Sequence, residues 1–363
     1  MRREMWRNFD FLLFGAAVFL AVFGVMMIRS AIAGNEVLAP SVSRQAIFVA
    51  AGIVLMIIVS AIDYHFWGSL ARLMYIIAFI SLAYILIVGT TLFGSARWFD
   101  TGVILIQPSE LAKILMIIVL ADYFARSNAD PHDIVWILRG LLLTMGVVIW
   151  IVLQPNLSTS IVIMFIWISM LWLYGLPVRY VIILGIIGIL VFALAFPFLQ
   201  EYQQARIINF LFPDPEARHG NVYNVQQALI TIGSGGLLGQ GYGHGTQVQL
   251  RFLKVRHTDF IFSAMAEEFG FIGTVLITSL LVIIIIRSLK AARESGDAFG
   301  SLIAYSYAMM IFFQTAVNIG VNLNVMPVSG LPLPFLSYGG SSLLSSILGV
   351  GLVQSVNLRK TLL

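Results

Sequence analysis

Apolar residues along this chain come in unbroken runs instead of the alternation of a half-buried strand or the one-sided stripe of a surface helix. A helix needs about 20 predominantly apolar residues to cross roughly 30 Å of hydrocarbon. About ten runs of that kind occur, at 11–31, 45–62, 73–89, 108–125, 135–153, 157–175, 179–199, 260–286, 299–321 and 338–357. The fourth is the most polar, because Glu110 and Lys113 sit inside it. The first is too long for a signal peptide and lacks a small-residue cleavage site, so it counts as a span. The pattern therefore predicts an all-α integral membrane protein, one polytopic unit over 1–363 with about ten transmembrane helices. Its longest interval between runs, 200–259, lies between the seventh and eighth spans. No internal repeat, low-complexity segment or second soluble domain is visible.

Composition agrees: 60% of the 363 residues are hydrophobic and 10% charged, whereas a soluble domain carries about 25% charged residues. With no cysteine, disulfides, thiolate metal sites and a cysteine nucleophile are excluded. Five histidines are scattered without an H-x-x-x-H pair or HExxH, which removes a zincin reading. The net charge of +4 does not imply nucleic acid, because the basic residues punctuate apolar runs and form no basic patch. A membrane surface explains them better.

Placement of Lys and Arg sets orientation. With the N-terminus inside, twelve basic residues, from Arg2, Arg3 and Arg7 to Arg359 and Lys360, fall on the cytoplasmic side, against Arg29, Arg44 and Arg97 in short outer loops. Both termini are then cytoplasmic and 200–259 is extracytoplasmic.

Five segments that an anchor would not need then converge on the outer face. They are Arg97–Trp98, Glu110 with Lys113, QPNLSTS at 154–160, Arg256-His257-Thr258-Asp259, and PLPFLSYGGSS at 332–342 with Tyr338, Ser341 and Ser342. Each also has a plain structural reading. Glu110 and Lys113, three residues apart, can neutralise each other on one helix face. Arg97 beside Trp98 can anchor the interface. Asp259 can cap the eighth helix. The glycines of GSGGLLGQGYGHG, 233–245, lack the preceding strand and the GK[ST] of a nucleotide loop. Glu267 and Glu268 lie about 12 Å along the eighth helix from Asp259 and point apart, which suits Glu267 to an interhelical contact.

Four strings carry a resemblance to a known family: RWFDTGVILIQPSELAK at 97–113, IGSGGLLGQGYGHGTQVQLRFL at 232–253, RHTDFIFSAMAEEFGFIG at 256–273, and NIG at 318–320 with MPVSGLPLPFLSYGGSS at 326–342. In this order, with ten spans, the chain resembles the SEDS family (shape, elongation, division and sporulation), multispan peptidoglycan polymerases of the bacterial cytoplasmic membrane. GLPLPF is more similar to the elongation branch, RodA, than to the division branch, FtsW. Where the family usually reads QPDLGT this chain has QPNLST, so no acidic role carries over to Asn156, and Ser158 replaces a glycine. Where LPE commonly precedes the HTDF segment, Leu253 is followed by Lys254 and Val255, so a glutamate contact is lost.

The resemblance implies polymerisation of glycan strands from lipid II at the outer leaflet. Asp259 would be the general base on the acceptor's 4-hydroxyl. Arg97, Lys113 and then Arg256 would stabilise the departing undecaprenyl pyrophosphate, with Glu110 orienting Lys113. Trp98, His257, Thr258, Tyr338, Ser341 and Ser342 would line the substrate site. No cofactor is required, though a divalent cation, Mg²⁺ or Mn²⁺, could share the pyrophosphate charge. A class B penicillin-binding protein and other elongation-complex membrane proteins are the implied partners, with no nucleic acid. The competing classes are a lipid II flippase or small-solute carrier and a noncatalytic scaffold. A carrier would show repeats, broken helices and polar groups near the midplane, whereas here the polar residues crowd the outer third. The topology is tested directly, since the chain has no cysteine background. Single cysteines at Ser234 and Ser329 should react with an impermeant maleimide on intact spheroplasts and one at Ser295 should not; the inverse pattern would place the candidate residues inside.

Overall fold

The chain's computed structural model describes residues 8–88, 90–92, 95–100, 105–127, 134–214 and 220–360. Arg2, Arg3 and Arg7 of the inside set, residues 101–104 of the first motif, and Arg218 in the long loop lie outside the described residues. The helices are α1 (Phe11–Ala31), α2 (Pro40–Ala61), α3 (Tyr64–Ser69), α4 (Ala71–Val88), α5 (Pro108–Arg126), α6 (Ile134–Leu153), α7 (Leu157–Leu173), α8 (Val178–Ala195), α9 (Glu201–Leu211), α10 (Gly220–Gly235), α11 (Thr246–Gln249), α12 (Ile261–Arg293), α13 (Ala298–Asn322) and α14 (Gly340–Arg359).

All ten sequence runs fall on helices. Seven, α1, α2, α6, α8, α12, α13 and α14, are long and apolar enough to cross a membrane. Helices α4 and α7 are shorter apolar helices, and α5 is the run interrupted by charge. The protein is a multi-pass membrane protein. Its starts are written locally. Asp10 accepts from the Leu13 amide at 3.0 Å and caps α1, Asn156 accepts from the Thr159 amide at 3.4 Å and caps α7, and Pro40 and Pro108 occupy first turns where no amide partner is needed.

Burial sorts the helices by environment. Helix α14 is rich in Ser, Gln and Asn, yet 89% of its most apolar window is buried, so it is surrounded by protein. Its buried Gln354 accepts from the Asp10 amide at 3.0 Å and donates to the Asp10 carbonyl at 2.7 Å, satisfying both ends of its amide. Helix α8 has no buried residue and presents its apolar surface on all sides.

The charged side chains named here gather at two opposite ends. One end joins Asp10 to Arg287 (2.5 Å), Asp63 to Arg359 (3.3 Å), His65 to Asp297 (3.5 Å) and Glu294 to Lys360 (2.8 Å). It therefore holds the starts of α1 and α13 together with the ends of α2, α12 and α14. The other end holds the five candidate segments.

Three features depart from the sequence reading. The loop before α5 contains a three-stranded antiparallel sheet, β1 (Thr90–Leu92), β2 (Ser95–Asp100) and β3 (Leu105–Ile106), in that order. Outside hydrocarbon, water can satisfy the edges of a small sheet, so a mainly helical membrane protein can carry one there. The interval 200–259 is no plain loop, since it folds into α9, α10 and α11. The expected eighth span, 260–286, is broken at Gly270, whose φ of 66° and ψ of −169° are outside the helical region and suit glycine. The remaining piece, 271–293, is about 34 Å long at ~1.5 Å per residue and can span the membrane by itself.

The break leaves orphaned backbone groups, and residues 236–241 take them up. The amides of Gln240 and Gly241 donate to the Glu267 and Glu268 carbonyls, both at 2.9 Å. In return the Gly236 and Leu237 carbonyls accept from Phe271 (2.9 Å) and Ile272 (3.1 Å). A β-carbon on Gly235 would strike the Ala266 carbonyl, and one on Gly239 the Glu268 carbonyl. These glycines permit backbone-to-backbone packing and form no phosphate cradle. Gly243→Ala should cost only the left-handed backbone, about 1–2 kcal/mol, because its φ is +74° with open space around it. Gly239→Ala, also at positive φ, should lower the thermal midpoint in detergent clearly further, because it also separates α10 from α12.

Candidate active site

The backbone carbonyls of residues 257–259 in the RHTDF segment are each gripped by a neighbouring element. The Asp259 carbonyl accepts from Asn318 Nδ2 (3.1 Å) and Asn322 Nδ2 (3.0 Å) on α13. The His257 carbonyl accepts from the Tyr338 amide at 2.9 Å, and the Thr258 carbonyl from Ser337 Oγ at 2.7 Å. The 331–342 segment is fixed in turn by Asn318, which donates to the Leu331 carbonyl at 2.8 Å. Buried Gln45 on α2 reaches the same segment, donating to the Ser337 carbonyl at 3.4 Å and accepting from the Gly339 amide at 3.3 Å. Ser341 accepts from the Gln107 amide at 2.9 Å, which joins the start of α14 to the start of α5.

Asp259 is not a helix cap. The residue flanking α12 is Phe260, without a capping side chain. Asn322 Oδ1 instead accepts from the Ser263 amide (3.1 Å) and hydroxyl (2.6 Å). The Asp259 carboxylate is half-buried beside Gly330 and Arg206. Burial pushes its pKa up, and the Arg206 guanidinium and a hydrogen bond from Thr258 pull against that rise. Burial and neighbouring Arg256 push His257 down, which favours a neutral imidazole.

The cations expected at the leaving group already have protein partners. Arg97, on β2, donates through Nε to the Gln154 carbonyl (2.7 Å) and through its Nη2 to the Pro155 carbonyl and Tyr202 hydroxyl. It ties the sheet to the α6–α7 turn and to α9. Trp98 follows it on β2, half-buried. Lys113 pairs with Glu110 at 2.9 Å, with only 1% of its side chain exposed. Asn156 donates to Ser109 beside that pair at 3.2 Å. Arg256 is buried, donating to the Ala31 and Leu253 carbonyls, and fastens the segment to the end of α1. The Tyr338 ring lies tilted against His257 at 5.8 Å between ring centres, and Ser342 is half-buried one residue beyond Ser341.

Glu267 and Glu268 diverge as expected. The Glu267 carboxylate accepts from the Gln247 (2.8 Å) and Val248 (3.1 Å) amides and from Ser234 (3.2 Å), holding α11 and α10 to α12. Glu268 accepts from Ser30 of α1. A cavity of about 340 Å³ lined by His65, Asp122, Arg126 and Asp297 lies at the opposite end and contains none of the candidate residues.

The sequence reading did not single out Arg206, Asn322 or Gln45. Asn322 lies one helical turn after Asn318 of NIG and was accessible on that ground; Gln45 was a polar residue at the edge of a span. Arg206 sits in the long interval where the positive-inside rule loses force, so its charge carried no signal.

A family model described as "Cell cycle protein" (FTSW_RODA_SPOVE) matches residues 10–362. The chain is 34% identical over 348 residues to peptidoglycan glycosyltransferase MrdB of Escherichia coli (strain K12), covering 95% of this chain and 92% of that one. It is 35% identical over 322 residues to stage V sporulation protein E of Bacillus subtilis (strain 168), covering 86% of each. A solved chain from work on the coordination of polymerization and crosslinking by a peptidoglycan synthase complex superposes with TM-score 0.83 at 31% identity, covering 97% of this chain and 98% of that one. The Thermus thermophilus rod shape determining protein RodA superposes with TM-score 0.73 at 29% identity, covering 98% of both chains. The chain belongs to the SEDS family of FtsW, RodA and SpoVE proteins.

Asn322→Ala should lower stability by about 0.5–2 kcal/mol, the usual range for a lost cap. Asp259→Ala should leave the thermal midpoint in detergent nearly unchanged. A larger loss for Asp259→Ala than for Asn322→Ala would restore the capping role to the aspartate.

Proposed function

We propose that this chain, a peptidoglycan glycosyltransferase of the SEDS family, extends glycan strands from lipid II at the outer face of the bacterial cytoplasmic membrane during cell elongation, with Asp259 as general base. One observation carries the assignment: Asp259 is a half-buried carboxylate at the polar end of the bundle that caps no helix and has Arg206 beside it.

A sugar hydroxyl is a poor nucleophile at neutral pH, and a positioned base contributes about 10²–10⁴-fold. Asp259 takes the proton from the 4-hydroxyl of the acceptor's N-acetylglucosamine. That oxygen forms a bond to C1 of the N-acetylmuramic acid at the reducing end of the growing strand. The C1–oxygen bond to pyrophosphate breaks, the electron pair leaves with undecaprenyl pyrophosphate, and the α-linkage becomes a β-1,4 bond. Charge growing on the leaving group requires cations arranged beforehand. Arg97 and Lys113 are proposed for that role, with Glu110 holding Lys113 and Arg256 more remote. Trp98, His257, Thr258, Tyr338, Ser341 and Ser342 line the approach. The chemistry calls on no cofactor from the chain; a divalent cation, Mg²⁺ or Mn²⁺, could share the pyrophosphate charge. A class B penicillin-binding protein is proposed as the cross-linking partner, supported by the likeness to a chain from a peptidoglycan synthase complex. GLPLPF favours the elongation branch.

Purified protein given labelled lipid II separates this reading from its rivals. Polymer identifies the enzyme, leaflet exchange without polymer a flippase, and neither a scaffold. Asp259→Ala and Asp259→Asn should each retain less than about a hundredth of the wild-type rate, the lower limit for losing a general base. A higher residual rate would remove Asp259 from the mechanism.

A further inference from the structure

Resting on that function, we propose that Arg206 is the positioning residue that keeps Asp259 ionised, and that helix α9 holds it there as a docked latch of the outer loop. A β-carbon placed on Gly330 would stand 3.7 Å from the Arg206 guanidinium and 4.0 Å from the Asp259 carboxylate. The two groups therefore lie within roughly 8 Å of each other, a range at which an opposite charge still favours the ionised carboxyl in a partly desolvated site. Among the described residues they make no ion pair within contact distance, so the carboxylate stays open to a hydroxyl.

Among the described residues, the other charged or titratable neighbours are turned elsewhere or pushed toward the neutral form. Arg256 faces the Ala31 and Leu253 carbonyls, His257 lies two residues back, and α13 offers only the amides of Asn318 and Asn322 to the Asp259 backbone. Arg206 is itself anchored: it donates to the Ser329 carbonyl at 3.1 Å and lies 5.5 Å over the Tyr202 ring.

Polar contacts at one point dock α9. The Pro155 carbonyl accepts from the Tyr202 hydroxyl (2.9 Å) and Gln203 Nε2 (3.1 Å), and Arg97 donates to the same Tyr202 hydroxyl at 2.7 Å. Arg97 therefore reaches the base indirectly, through Tyr202, α9 and Arg206. Hydrogen bonds to one turn are easily exchanged for water at an outer surface, so docking of α9 and the charge state of Asp259 are coupled.

The sign follows. Asp259 acts only when ionised, so activity falls as pH drops through its pKa, and removing Arg206 moves that fall to higher pH. In the polymerisation assay, Arg206→Gln should show an acid-side deficit at least about tenfold greater than its alkaline-side deficit, as for removing a nearby opposite charge. Arg206→Lys should recover most of the acid side. Tyr202→Phe combined with Gln203→Leu, which keeps the Arg206 side chain but undocks the helix that carries it, should reproduce the Arg206→Gln profile. A second readout needs no turnover: the protonated-carboxyl infrared band that Asp259→Asn abolishes should titrate at higher pH in Arg206→Gln. Equal loss at all pH values with an unmoved band would overturn the proposal and make Arg206 a substrate contact or a fold element. If the wild type makes no polymer, the polymerase reading fails, while the infrared titration still decides the role of Arg206.

Discussion

A helix broken within a membrane protein exposes amides and carbonyls that lipid cannot satisfy. That constraint at Gly270 organises the half of this molecule that carries the candidate site. The first piece of α12 ends on carbonyls taken by Gln240 and Gly241, and the second begins on amides taken by Gly236 and Leu237. Such an exchange requires two backbones in direct contact, which only glycines at 235, 239 and 270 allow. Once the turn is seated, Glu267 can cap α11, and the chain leaving α11 is delivered to residues 253–259. The position of Asp259 is thus fixed from both sides, by α11 before it and by the first piece of α12 after it.

The site combines a rigid backbone with adjustable charge. Four hydrogen bonds from α13 and the 331–342 segment grip the carbonyls of His257, Thr258 and Asp259, and none of them uses the Asp259 carboxylate. A carboxylate set this way is pulled in two directions. Burial raises its proton affinity, and the nearby guanidinium pulls against that rise. The cations read from the motifs do a different kind of work in this conformation. Arg97 and Arg256 bind backbone carbonyls, which fastens loops while leaving their positive charge uncancelled, whereas Lys113 is neutralised by Glu110.

The same division explains α14 and α8. A helix bearing Ser, Gln and Asn survives in the centre of the bundle because its polar groups find partners there, as Gln354 does on Asp10. A helix that is apolar almost throughout can stand at the edge with none of its side chains buried. Polarity here marks protein surroundings, the reverse of the soluble case.

The sequence by itself located ten of the helices and the polar end on which five motifs meet, because crossing hydrocarbon imposes a length and a composition that can be counted residue by residue. It also carried the family, since the motifs are contiguous strings. It misread the run 260–286 as one span, because a single glycine inside a helix is common and its φ is invisible until a partner backbone is known. It left Asp259 between cap and base, since both roles use the same residue type next to a helix start. Only the tertiary structure removed the capping role, by putting Asn322, 59 residues along the chain from Ser263, on the amide and hydroxyl of that serine. Arg206, Gln45 and the small sheet were likewise decided in three dimensions. Each depends on which distant backbone group lies opposite, and no local pattern of hydrophobic and polar residues encodes that.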